Sequence, residues 1–402
     1  MNSQNINIKQ YTLSSGRKLY FSAQNNHFWF DEKPAELTID YYDKKLISLR
    51  LELSGYCNGH CKYCIVYGNQ IEKKEILDIE SSWDWLTSLS WFKHIKDIFI
   101  IGGEPMLHYK DIFFILNHFD GTVGFSTNGT LITKEIAQQL SKYNVMVYVS
   151  IDGANESDNV NRVYKNGKPM YPDIIKGLDL LEAAGVRKGL FMVATPNTVN
   201  NISDNIQKLT QKYKFKRIGY SLPHWTKTTP DTVTAEQYRD ALLDLYSHRN
   251  VINTEIMQLN WRLNPLIEGK VKEFSCSLHN QQIKVLPDKS IVRCSKIDSI
   301  SDKKYITNAW LDENCPTALA RKNMMPCAKC VALSCCGGGC PFDGIKRFNS
   351  CIDKRECVIT IPLVEKALQD IVCYIEKEKS NLPSGDICQD VIKEALSVTK
   401  TY

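Results

Sequence analysis

The chain has 402 residues, 43% hydrophobic and 24% charged, with 50 basic and 45 acidic side chains for a net charge of +5. That composition excludes a disordered chain, and a small charge excess spread without a basic block argues against nucleic acid or an anionic membrane as partner. No apolar run reaches membrane-spanning length and the opening MNSQNINIKQ holds no signal core, so a soluble, cytoplasmic protein is expected.

In chain order, YTLSSGRKLYFSAQNNHFWF places two alternating runs around a Ser-Ser-Gly turn and predicts a β-hairpin appendage over residues 1–46. Its HFWF end either packs under the next unit or offers an edge for strand addition by an extended peptide. From residue 47 to about 250, β-rich runs alternate with amphipathic helical ones. Strands are predicted at 47–53, 96–101, 122–127, 145–151, 188–194 and 217–222, and helices near 79–92, 110–118, 133–142, 172–184, 200–212 and 233–247. Parallel strands joined by crossover helices are the expected result, and six such units predict an α/β fold: a partial (β/α)6 TIM-like barrel over residues 47–265.

After about residue 270 the alternation stops. Of the fifteen cysteines, all but Cys57, Cys61 and Cys64 lie from Cys276 onward, which marks residues 266–375 as a second, cysteine-rich module. IPLVEKALQDIVCYIEKEK and ICQDVIKEALSV read as two helices around an LPSGD hinge, the second lying in a helical tail, residues 376–402. So many thiols in a reducing compartment, odd in number, are read first as metal or iron–sulfur ligands, the alternative being scattered buried thiols.

CNGHCKYC, residues 57–64, follows the first barrel strand. Three thiolates spaced C-x3-C-x2-C can hold three irons of a cubane and leave the fourth open, whereas tetrahedral zinc needs a fourth ligand. His60 could be that ligand only on a strained short loop. Polar groups end the next strands: Gly102, Gly103 and Glu104 in IFIIGGEP, Ser126, Thr127 and Asn128 in FSTNGT, Ser150 and Asp152 in VSIDG. Ligands of a barrel bind at this end, where a glycine pair allows close backbone approach and Glu104 offers an acceptor for an ammonium. Arg162 follows in DNVNRVYKNG, as a carboxylate partner or a solvated side chain. SLPHWTK ends the sixth strand, so His224 and Trp225 face the mouth as substrate contacts, or cap the loop.

C-x3-C-x-aromatic-C with GGEP, TNG and S-x-D-G on successive strands resembles the radical S-adenosylmethionine enzymes. The resemblance implies that Cys57, Cys61 and Cys64 hold a 4Fe–4S cluster whose open iron takes the amino and carboxylate groups of S-adenosylmethionine. It further implies that Tyr63 lies near the adenine, that Gly102, Gly103 and Glu104 receive the ammonium, that Ser126, Asn128, Ser150 and Asp152 contact the ribose and methionyl group, and that Arg162 meets the carboxylate.

The later cysteines run C276-x17-C294, then C327-x2-C330-x5-C336-x3-C340, then Cys351 and Cys357. A zinc ribbon would want two C-x2-C pairs. The spacing resembles the SPASM extension of the same enzymes, which implies two auxiliary 4Fe–4S clusters and three in all. One is held by Cys327, Cys330, Cys336 and a closing cysteine, Cys357 rather than Cys351 because a helix is predicted directly after it. The other is held by Cys276, Cys294 and Cys340, with Cys315 or substrate as the fourth ligand. Lys289 stands where the extension has glycine. The glycines of CCGGGC are expected to aim N–H groups at cluster sulfurs, and Cys335, Cys373 and Cys388 to be ordinary buried thiols.

The resemblance implies hydrogen abstraction by a cofactor-derived radical, and auxiliary clusters imply an oxidative outcome. Sulfatase maturases of this group place aspartate directly after the second cysteine, where this chain has Ser295 followed by Lys296. The reading is therefore a maturase that installs a carbon–carbon or thioether crosslink in a ribosomally made precursor peptide, with the sulfatase-maturing enzyme as alternative. Its partners are the peptide and a one-electron donor such as flavodoxin or ferredoxin. The first 46 residues look too short for a winged-helix leader-binding domain, so leader recognition falls to the hairpin or a separate partner. A non-enzymatic iron–sulfur electron carrier or a zinc-binding interaction protein would need the cysteines but not GGEP or S-x-D-G.

Overall fold

The computed structural model describes residues 7–34, 38–42, 48–68, 75–228, 232–275, 282–292, 294 and 321–397. The chain opens with three antiparallel strands, β1 (Ile8–Thr12), β2 (Lys18–Ser22) and β3 (His27–Phe30), and a short β4 (Asp40–Tyr41) follows. The barrel strands are β5 (Ser48–Glu52), β6 (Asp97–Ile101), β7 (Thr122–Thr127), β8 (Val145–Ser150), β9 (Lys188–Val193) and β10 (Arg217–Ser221), parallel throughout. A two-residue β11 (Glu255–Ile256) extends one side of the sheet, and β12 (Lys270–Val271) pairs with β4.

Helices lie between the strands as the periodicity predicts. After the four-residue α1 (Ile65–Gly68) come α2 (Ile79–Ser88), α3 (Tyr109–His118), α4 (Lys134–Leu140), α5 (Tyr171–Ala183), α6 (Ile202–Lys212) and α7 (Ala235–Ser247), then α8 (Arg249–Ile252) and α9 (Met257–Glu268). Their starts are set locally: Asp78, Thr133 and Thr234 each accept the backbone N–H three residues on, and Thr234 forms a reciprocal box with Gln237. Leu49, Leu51, Ile98, Ile100, Val123, Phe125, Val147 and Val149, at alternate positions of their strands, are all buried and line one face of the sheet.

The sheet does not stop at the predicted six strands. β13 (Gln282–Val285) lies parallel to β5, and β14 (Ile291–Val292) returns antiparallel, so part of the cysteine-rich module extends the barrel sheet beside its first strand. A buried ion pair, Lys284 to Glu52 at 2.6 Å, ties β13 to β5. The β13–β14 turn holds Lys289 at φ 64°, so a position that favours glycine carries lysine in the left-handed conformation.

The N-terminal strands are not a free hairpin. β15 (Gly385–Asp386) pairs with β3, which already has β2 on its other side, and Phe28, Trp29 and Phe30 are buried. HFWF therefore packs inward, and the strand-addition reading falls because both edges of β3 are taken.

In the second module, α10 (Leu333–Cys336) and α11 (Pro341–Phe348) lead to the long α12 (Arg355–Glu378), and α13 (Gln389–Ser397) follows. The helix expected after Cys357 starts two residues before it and takes Pro362 into its interior. Proline removes one hydrogen bond there, but Ile359, Leu363, Val364, Ala367, Leu368, Ile371 and Ile375 form a fully buried face that outweighs the local preference. Cys335 is buried as predicted; Cys373 and Cys388 are exposed, which corrects their reading as buried thiols. Cys373 lies between Ile371 and Ile375 in sequence but off the face they bury, and Cys388 precedes α13 outside the core. Among the described residues no helix is long and apolar enough to cross a membrane.

Candidate active site

The loop that carries Cys57, Cys61 and Cys64 is clamped by backbone on two sides. His60 N–H donates to Val163 O at 2.7 Å and Lys62 N–H to Asn161 O at 3.0 Å, while Gly103 and Glu104 N–H donate to the carbonyls of Ser54 and Tyr56 at 2.9 and 2.7 Å. The glycine pair thus serves a close approach to the chain's own backbone: a Cβ on Gly103 would lie 1.9 Å from Tyr56 O, and one on Gly102, at φ 134°, 2.3 Å from Ser54 O.

Burial pushes the Cys57 thiol up to about 12 and Cys61 to about 11, with the neighbouring thiols adding to both shifts. Backbone N–H groups face the sulfurs, Gly59 to Cys57 Sγ at 3.2 Å and Val163 to Cys61. Such thiols stay protonated when free and are thiolates only with a metal beside them. Among the described residues no three His, Cys, Asp or Glu side chains converge on one ion; a cubane asks each thiolate for a different iron and needs no such convergence.

Glu104 is buried at the end of β6 and accepts three donors: Met106 N–H at 3.0 Å, Thr127 Oγ1 at 2.6 Å and Asn128 N–H at 2.7 Å. Burial pushes its carboxyl up to about 6 against the pull of those hydrogen bonds. The side chain of Asn128 donates to Asn58 Oδ1 at 2.7 Å and accepts from Thr130, tying the end of β7 to the cysteine loop. Asn58 and Thr130 were not singled out in the sequence, because short polar residues in turns carry no pattern until a partner is known. Ser126 and Ser150 lie half-buried at the ends of β7 and β8.

Asp152 is a buried hub. It accepts from Tyr63 Oη at 2.5 Å, from the Arg162 guanidinium at 2.7 Å and from Val193 N–H at 3.1 Å. Arg162 is only 5% exposed, which excludes the solvated reading. Burial works against its charge, yet Asp152, Tyr63 and Cys61 together carry its pKa above the ordinary arginine value. Its Nε is buried with no partner among the described residues, and the neighbouring thiol of Cys61 makes this a place for an anionic group.

In the second module, Cys327, Cys330 and Cys357 face one another closely enough that each raises a neighbour's pKa, and Cys336 acts with Cys330. Burial pushes Cys330 up to about 11 and Cys336 to about 12. Gly337, Gly338 and Gly339 all have positive φ. Of the N–H groups expected to reach cluster sulfurs, that of Gly338 faces Cys336, while that of Gly339 donates to Ser275 Oγ at 2.8 Å. Cys294 is buried and Cys340 half-buried; Cys276, Cys315, Ser295 and Lys296 lie outside the described residues.

A cavity of about 340 Å3 lies between the two modules. Ser221, Leu222 and His224 at the end of β10 form one wall, and Cys340, Asp343 and Arg355 form another. Ser221 pairs with Val193, the residue that donates to Asp152, so the cavity adjoins the barrel mouth. His224 lines it with Nδ1 held by Asp343 at 2.8 Å. Trp225 is not among the lining residues: its backbone N–H donates to Asp343 Oδ1 at 2.8 Å and Lys346 stands 5.3 Å over its ring, so it docks this loop onto α11. Arg262 of α9 clasps Glu356 of α12 at 2.8 and 2.9 Å at the base.

Residues 51–209 match the family described as the Radical SAM superfamily. The matched stretch runs through the barrel from β5 to α6, so this part of the chain is similar to the radical SAM domains. An uncharacterized protein of Methanocaldococcus jannaschii is 28% identical over 43% of this chain and 62% of its own length. The radical SAM cyclopropyl synthase TigE of Paramaledivibacter caminithermalis is 24% identical over 84% of this chain and 75% of its own. Two solved folds are alike over both modules. anSMEcpe with bound AdoMet and a Cp18Cys peptide has a TM-score of 0.65 at 18% identity, covering 82% of this chain and 98% of that one. Streptococcus suis SuiB bound to the precursor peptide SuiA has 0.59 at 16%, covering 78% and 76%.

Proposed function

We propose that this chain is a peptide maturase: it takes a hydrogen atom from a residue of a ribosomally made precursor peptide and leaves an oxidative carbon–carbon or thioether crosslink. The observation that carries the reading is the cavity that adjoins the barrel mouth on one side and Cys340 on the other, a place where a substrate side chain lies between a radical source and an electron acceptor. The likeness to TigE across most of the chain and to two folds solved with peptides supports it.

Cys57, Cys61 and Cys64 hold the first cluster, which with S-adenosylmethionine supplies the hydrogen-abstracting radical. Glu104 accepts the ammonium of the methionine moiety, its three hydrogen bonds fixing both oxygens in place. Arg162, braced by Asp152, meets the carboxylate, and Tyr63, held by the same aspartate, walls the adenine side. Ser126, Asn128, Ser150 and the glycine pair complete the pocket. Cys327, Cys330, Cys336 and Cys357 hold one auxiliary cluster; Cys276, Cys294 and Cys340 hold the other, with Cys315 or substrate as fourth ligand. His224, oriented by Asp343, is placed to meet the substrate. A flavodoxin- or ferredoxin-like donor supplies the electron, and a separate partner binds the leader.

Anaerobically reduced protein, given S-adenosylmethionine and the short peptides encoded beside its gene, releases 5′-deoxyadenosine while one peptide loses two hydrogens per crosslink. Release with every peptide unchanged, or formylglycine formed on a sulfatase peptide instead, overturns this in favour of the sulfatase-maturing reading or another substrate. Iron without any release supports an electron carrier.

A further inference from the structure

Arg321 is 1% exposed, a guanidinium almost wholly removed from water. Among the described residues its hydrogen bonds go only to backbone carbonyls, to Glu273 O at 2.9 Å and Lys272 O at 3.4 Å. Its Nε is buried and has no partner among the described residues. A Cβ placed on Gly338 would stand 3.9 Å from Arg321 Cδ and 4.0 Å from Nε, so the orphaned edge lies along the glycine whose N–H faces Cys336. The groups that face this cation are Cys336, Cys327 and Cys330 and, after them, the Glu273 carboxylate. As neutral thiols the three cysteines would leave it Glu273 alone among these.

We propose that Arg321 is the counter-cation and N–H donor of the iron–sulfur cluster held by Cys327, Cys330, Cys336 and Cys357, and that it raises the reduction potential of that cluster. The assignment rests on the cluster reading given under Proposed function. A 4Fe–4S unit with four thiolates is an anion, and one-electron reduction adds a further negative charge without a proton. A fixed cation therefore stabilises the reduced form more than the oxidised one, and an N–H on sulfur acts in the same direction. The electron accepted is the one the substrate radical must lose when the crosslink closes, passed on by the cluster at Cys340 that adjoins the cavity. Lysine would keep the charge but not the planar N–H aimed past Gly338, so charge and hydrogen bond are separable by substitution.

The test compares wild type, Arg321→Lys and Arg321→Met, purified without oxygen, by iron and sulfide content and by redox titration followed by electron paramagnetic resonance. With iron retained, the reduced-to-oxidised ratio of that cluster at the wild-type midpoint falls about tenfold in Arg321→Met, which is 59 mV for one electron, and Arg321→Lys falls in between. An unshifted midpoint with full iron overturns the proposal and leaves the cluster assignment standing. Wild-type protein with iron for the first cluster alone defeats both. If Arg321→Met loses the iron, its return in Arg321→Lys with a lowered midpoint supports the counter-cation, and loss in both variants overturns it in favour of packing alone.

Discussion

Arg162 and Asp152 meet at 2.7 Å inside the protein, the aspartate fully buried and the arginine nearly so. Removing one partner of a buried ion pair strands the other charge, at a cost of about 3–5 kcal/mol. Asp152→Asn should destabilise the chain by about that much in urea and also release Tyr63, so that S-adenosylmethionine binds more weakly. A variant that unfolds like wild type would show that the pair is solvated in solution.

Gly103→Ala puts a methyl group 1.9 Å from Tyr56 O, beside Cys57. The backbone must move, and with it the start of the cysteine loop. The expected outcome is loss of the first cluster's iron and of cofactor binding, while iron bound by the second module remains. Iron and sulfide assay on anaerobically reconstituted protein separates the two.

Glu104 has its carboxyl pushed up to about 6 from an ordinary 4.5. A raised carboxyl binds its proton more tightly when folded, so the ligand-free chain loses stability as pH rises from about 4.5 to 6, by about 2 kcal/mol in all. A bound ammonium needs the anion. Affinity for S-adenosylmethionine should therefore fall as pH drops below about 6, approaching tenfold per unit. Binding titrations across that range check this, and Glu104→Gln should bind weakly with a flat profile.

Cys357 and Cys351 make a sharp pair. The thiol of Cys357 faces Cys327 and Cys330 from the first turn of α12. Cys357→Ala should lose the iron of one auxiliary cluster, and Cys351→Ala should keep it. The reverse result would move the closing ligand to the loop before the helix.

Much of this was legible in the sequence because it depends on local periodicity. Six strands and six helices of the barrel fall where apolar spacing puts them, and each polar site residue sits where a buried run ends. What was not legible depends on partners far apart in the chain. Nothing in HFWF shows that residues 385–386 close its free edge, and nothing in IPLVEKALQ shows that a buried face carries the helix back through Pro362 to Arg355. Cys373 and Cys388 were misplaced for the same reason: a thiol's burial follows from which helix face finds a neighbour.

The sequence by itself determined the order of elements and the spacing of the thiols, because hydrogen bonds within a helix or turn and side-chain alternation along a strand act over a few residues. Only the tertiary structure decided what those residues do to one another. Glu104 accepts from Thr127 and Asn128 at the end of β7, Asp152 joins Tyr63 to Arg162, the glycine pair seats the cysteine loop, and Arg321 lies buried beside Gly338. Each relation is fixed by burial, where a polar group or charge must find its partner across the fold because water is no longer there to supply one.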